Sequence, residues 1–204
     1  MTSVNNLPDY AGSLALVQLH PPFGPHMTRH IALLRAINVS GRNVKMEVLR
    51  AVFVQLGFHA IDTYLASGNV LFDSNAHSPL LKTRIETALQ RELGFEVLTF
   101  LRLQTELQDV AARITAIQAR PGIVAANVAF FAQAPGAQAI RALKAFQTPI
   151  DDFEIHQREL YWACAKKQSE SNFDLGKLEG ALKLPMTLRG ANTVIQLASK
   201  AHPI

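Results

Sequence analysis

Polar side chains able to do chemistry gather in three short stretches of the chain. The first holds Arg35, Asn38, Gly41, Arg42 and Lys45, the second Ser67-Gly68-Asn69, and the third Arg189, Asn192 and Thr193. The first and third stretches lie at expected helix starts, the first of them directly after a strand. Unpaired backbone N–H groups and the helix dipole there favour a phosphate or a carboxylate. Two such loops, 37–45 and 187–193, facing each other could clamp a nucleotide, a small anionic metabolite or a nucleic-acid backbone. Arg35, Asn38, Lys45, Ser67, Asn69 and Arg189 are therefore the candidate ligand-binding residues, expected to converge in space. The competing reading is that Asn, Ser and Gly simply form turns and the arginines coat a solvated face. An enzymatic reading would use Tyr64, Ser67, Lys45 and Arg189 as polar groups in a cleft between halves, but no general base stands out, so catalytic residues are left unassigned.

Several familiar chemistries are missing. There is no G-x-x-x-x-G-K-[ST], no G-x-G-x-x-G and no G-x-S-x-G motif, and no cofactor is implied. The 7 histidines are scattered, none paired at the spacing that a helix uses to hold a metal, so no metal site is expected. Asp151, Asp152 and Glu154 form the densest acidic patch, which reads as a polar entrance to a strand after Pro149 rather than a cation site. The lone cysteine, Cys164, lies beside Trp162 on an apolar strand and reads as a small buried hydrophobe. Tyr64, Phe72, Phe131 and Tyr161 could suggest base stacking, but the strand lacks the basic-Gly-aromatic pattern of RNA-recognition sheets, so core packing explains them better.

With 49% hydrophobic and 18% charged residues, the 204-residue chain can fill one large core or two small ones. No stretch approaches the roughly 20 apolar residues of a membrane span. A single cysteine excludes an intrachain disulfide, which suits a reducing compartment, and no secretory leader is recognisable, so a soluble cytoplasmic protein is expected. The net charge of +4 is mild for a dedicated polyanion binder, and nucleic acid is the weaker partner reading. A homo-oligomeric or protein-interaction module without catalysis is a further alternative, through an exposed sheet edge.

The elements that must position these residues follow from periodicity. Residues 1–26, with Pro8, Pro21, Pro22 and Pro25, read as a flexible extension or as a mis-annotated start upstream of Met27. Strands are expected at 30–36, 61–66, 70–72 and 97–101, with helices over 46–56 and 78–93, stopped by Gly57 and Gly94. That order, β-α-β-β-α-β, is the ferredoxin-like one. Beyond Leu103 the pattern partly echoes it: helices over 104–117, over 137–146, from the Ser171 cap to 183, and over 191–198, and strands at 127–132, 153–156 and 160–165. Ser171 and Asp174 resemble a capping box. The fold class is α+β in two α/β halves, 27–103 and 104–204.

Leu33-Leu34-Arg35-Ala36-Ile37-Asn38-Val39-Ser40-Gly41, then Lys45-Met46, Leu56-Gly57-Phe58, Thr63-Tyr64 and Ser67-Gly68-Asn69-Val70 resemble a bacterial family known as domain of unknown function 1697. Its members open with "ALLRGINVGG", continue with "K-M" and later carry "SGNVVF". Near the C-terminus they show "Ser-Lys" and "T-x-R-N-W-N-T-V". Here Ala36 and Ser40 replace glycines, Asn172 replaces the Lys, and Gly190-Ala191 replaces the Asn-Trp pair. The resemblance implies two α+β halves, the first ferredoxin-like, and supplies no reaction.

Overall fold

The computed structural model describes residues 27–39, 41–76 and 78–200. The extension expected over residues 1–26, Ser40 of the first loop and the capping side chain of Ser78 lie outside the described residues.

Alternation and helical periodicity place the elements of the first half as expected, with boundaries shifted by a residue or two. They are β1 (Thr28–Leu34), α1 (Met46–Gln55), β2 (His59–Tyr64), β3 (Asn69–Ser74), α2 (Ser78–Leu93) and β4 (Thr99–Leu103), and α3 (Gln104–Gln118), expected at the head of the second half, follows β4 directly. The second half repeats this order: β5 (Ala125–Phe131), α4 (Ala137–Leu143), β6 (Asp151–His156), β7 (Glu159–Cys164), α5 (Leu175–Leu182), β8 (Met186–Gly190) and α6 (Ala191–Ser199). Two four-stranded antiparallel sheets result, ordered β2-β3-β1-β4 and β6-β7-β5-β8. The second half is thus ferredoxin-like as well, a finer likeness than its sequence suggested. Strand β8 escapes a reading of periodicity because Thr187, Arg189 and Gly190 interrupt its apolar residues. Ser171 does not cap α5: Asp174 does, accepting from the N–H groups of Gly176 and Lys177.

The core forms three apolar layers, one of which joins the halves. Helices α1 and α2 cover one face of the first sheet through Leu49, Phe53, Ile85 and Leu89. Helices α4 and α5 cover one face of the second through Leu143, Leu178 and Leu182. Between the sheets lies a shared core in which Ile31, Leu33 and Phe100 of the first meet Val128, Phe130 and Tyr161 of the second, with α3 and α6 packed beside each other. Each fully buried Leu or Phe there contributes roughly 2 kcal/mol, so the two halves share their largest source of stability.

The repeat extends to single residues. Ile31 pairs with Arg102 across β1 and β4, as Val128 pairs with Arg189 across β5 and β8. Leu33 pairs with Asn69, as Phe130 pairs with Glu159. Arg102 and Arg189 are therefore counterparts, and each is buried. Arg102 crosses into the second half, donating to Glu159 Oε1 at 2.6 Å and to the carbonyls of Phe131 and Arg158 at 2.9 and 3.0 Å. Arg189 crosses into the first, donating to Asn69 Oδ1 at 2.6 Å and to the carbonyls of Leu34 and Ser67 at 2.8 and 3.0 Å. Each half lends the other one arginine.

Several groups singled out by residue type are structural. Asp151 accepts from the Trp162 indole and from Ser171, and Glu154 pairs with Arg113 and Arg120. Phe72, Phe131 and Tyr161 are core residues, as is Cys164, whose thiol pKa is pushed up by burial. Among the described residues no group of His, Cys, Asp and Glu could hold a metal ion, and no helix is long and apolar enough to cross a membrane.

Candidate functional site

Five of the six candidate ligand-binding residues come together where the halves meet, around a cavity of about 500 Å³. Arg35, Asn38 and Ser67 line it from the first half, and Thr187, Leu188 and Arg189 from the second. Asn69 stands behind the wall, bound to Arg189. Lys45 is apart from them: it is exposed at the start of α1 and does not line the cavity.

Local sequence explains the first wall. Asn38 closes the loop by accepting from the Val44 N–H at 2.6 Å, while its amide donates to the carbonyls of Val44 and Ala66. Asn69 spans the β2–β3 turn, donating to the Tyr64 carbonyl and to Ser67 Oγ. Gly68 between them has φ +78°, and a Cβ there would lie 2.6 Å from Ile37 Cγ2, so only glycine fits. Ala36 also sits in the left-handed region at φ 53°, where the resemblance places a glycine. An alanine there carries about 1–2 kcal/mol of strain.

The electrostatics are tightly partnered. All five donors of the Arg189 guanidinium are engaged, by Asn69, Thr187 Oγ1 and the carbonyls of Leu34, Ser67, Gly68 and Leu188. Burial pushes its pKa down to about 10, so it stays charged at neutral pH. Arg35 makes a two-pronged ion pair across the halves with Glu179 of α5, at 2.5 and 2.8 Å. Glu179 also accepts from the Met186 N–H. What remains unused is small: the hydroxyl protons of Ser67 and Thr187 and three of the five N–H donors of Arg35 have no acceptor among the described residues. Ile37, Val39, Leu175, Met186 and Leu188 supply apolar walls.

Residue types alone missed Glu179, since a glutamate on an amphipathic helix carries no motif; Thr187 stood at the edge of the expected 187–193 loop, which is instead strand β8 running into α6. Residue types also missed Arg102. One signal was available: Phe100-Leu101-Arg102 and Thr187-Leu188-Arg189 each run into a helix within two residues, which marks them as counterparts.

A family model described as "Protein of unknown function (DUF1697)" matches residues 27–161. The match covers well over half of the 204-residue chain. The chain belongs to this family. The DUF1697 span takes in Arg35, Asn38, Ser67 and Asn69 and ends before Thr187 and Arg189. Among solved structures, a conserved bacterial protein from Streptococcus pneumoniae superposes with a TM-score of 0.69 at 22% identity, over 84% of this chain and 97% of that one. At that identity the likeness shows a shared fold. No functionally curated protein matches the chain.

Proposed function

We propose that this DUF1697 protein is a binding protein for a small organic anion with an apolar body, a nucleotide included, seated in the cavity between its halves. The observation that carries the reading is the side-chain inventory of that cavity: its unused side-chain hydrogen-bonding groups are donors, the side-chain oxygens of Asn38, Ser67, Thr187 and the neighbouring Glu179 already accept, and much of the remaining wall is apolar. A ligand complementary to it brings a carboxylate or phosphate to Ser67, Thr187 and Arg35 and lays an apolar body on Ile37, Leu175 and Leu188. The cavity volume falls in the range that small-ligand sites occupy. Arg35 can turn its Nη groups to the ligand because Glu179 keeps the Met186 N–H as a partner. In this reading Arg189 and Asn69 hold the wall rather than the ligand, and Lys45 plays no part. The single buried cysteine supports the cytoplasm as its compartment.

Thermal shift against aromatic carboxylates, nucleoside monophosphates and aliphatic organic acids tests the proposal, because a ligand that binds only the native state raises its melting temperature. A saturable shift should weaken in Ser67→Ala and in Arg35→Gln. Shifts that persist unchanged in both variants, or no shift with any compound, would refute it.

A further inference from the structure

A second cavity, of about 440 Å³, lies between the β6–β7 turn and α3. Its floor is Tyr161 of β7, only 2% exposed. The Tyr161 hydroxyl makes no hydrogen bond with any described residue, although the ring lies under the Arg113 guanidinium, 5.8 Å from its centroid. Arg113 and Arg120 reach the cavity from α3 and the loop after it, and Arg158 from the turn.

The charged side chains leave mainly donors free, while the exposed His156 and Gln157 on the rim supply both donors and acceptors. Glu154 holds Arg113 and Arg120, one through each oxygen. Glu106 holds Arg158 through one oxygen and the Leu103 N–H through the other. Glu159 is divided between Arg102 and the Arg158 N–H. The carboxylates around the cavity are thus engaged within the protein, save for Asp109 on its exposed rim. The arginines are not exhausted. Each uses one or two of its five donors in these pairs, and the anchoring carboxylates fix where the remaining N–H groups point. Burial also raises the Tyr161 pKa far above the usual phenol value, which keeps the hydroxyl a neutral donor.

We infer that this cavity is an oxyanion site, taking a small polar metabolite rich in carboxylate or phosphate oxygens, held by the spare donors of Arg113, Arg120 and Arg158 over the Tyr161 hydroxyl. It is separate from the cavity between the halves and does not depend on that reading. The two also differ in chemistry, since the arginine-lined cavity suits a compact, acceptor-rich ion and the other an amphipathic one.

Calorimetric titration of the full chain decides it, with citrate and succinate as the carboxylate arm and glycerol 3-phosphate and inorganic phosphate as the phosphate arm. Saturable binding in one arm is expected, weakened about tenfold by Arg113→Met or Arg158→Met, the worth of one charge-assisted hydrogen bond. Tyr161→Phe, which removes no bond within the protein, should weaken it severalfold and leave the urea midpoint unchanged. Ser67→Ala should leave it untouched, so failure here and failure at the other cavity are read separately. No heat in either arm at millimolar concentration, or binding indifferent to Tyr161→Phe and to both arginine variants, would overturn the inference.

Discussion

Replacing Arg189 by methionine keeps an unbranched apolar stem and deletes the guanidinium. Three acceptors across the interface then lose their donor: Asn69 Oδ1, the Leu34 carbonyl and the Ser67 carbonyl. The Gly68 carbonyl keeps a partner in the Leu34 N–H. At about 1–3 kcal/mol for each stranded acceptor, the gross loss is roughly 3–9 kcal/mol. Against it stands the desolvation of a guanidinium buried without a carboxylate, which costs several kcal/mol and disappears with the charge. The net expectation is a loss of about 2–4 kcal/mol. Arg102→Met differs in kind, because it leaves the buried Glu159 carboxylate without its counter-ion, a change that costs about 3–5 kcal/mol. Arg102→Met should therefore be the more destabilising of two counterpart substitutions, and Glu159→Gln should recover part of its loss. Urea unfolding at neutral pH gives both values, and the m-value shows whether the halves still unfold together. A loss below about 1 kcal/mol for Arg189→Met, or no recovery by Glu159→Gln, would refute the reasoning.

Two substitutions are expected to stabilise. Ala36→Gly relieves the left-handed strain at φ 53° and, after the added freedom of the unfolded chain, should gain about 0.5–1 kcal/mol; a lower urea midpoint would contradict it. Gly190→Asn should gain a few tenths of a kcal/mol, because Gly190 is the N-cap of α6, with extended backbone and no side-chain cap, and asparagine caps a helix better than glycine. An unchanged or lower urea midpoint would contradict it.

Much of the fold was legible because the punctuation is local. Gly57 and Gly94 close helices at φ +76°, and Asp174 caps one. The ferredoxin-like order of the first half rests on apolar runs with few interruptions. The second half hid its repeat because β8 carries a buried arginine, and charge in a strand reads as surface. The same residue marks the limit for the site. Arg35, Asn38, Ser67, Asn69 and Arg189 were legible as a group because they flank strand ends that the fold brings together. That Arg189 has spent every donor on the protein, or that Glu179 faces Arg35, depends on partners more than 100 residues away in sequence, and no local pattern carries that.

The exchange of arginines between the halves has a consequence for how the chain is made. Residues through Leu103 leave the ribosome long before Arg189, so the Leu34 and Ser67 carbonyls wait for their donor through most of synthesis. Until β5 and β7 have been made, the side of the first sheet bearing Ile31, Leu33 and Phe100 also lacks the strands that cover it. The half that is made first is thus the last to be completed. A nascent chain stalled before β5 presents an open apolar sheet face, the surface on which chaperones and aggregation compete.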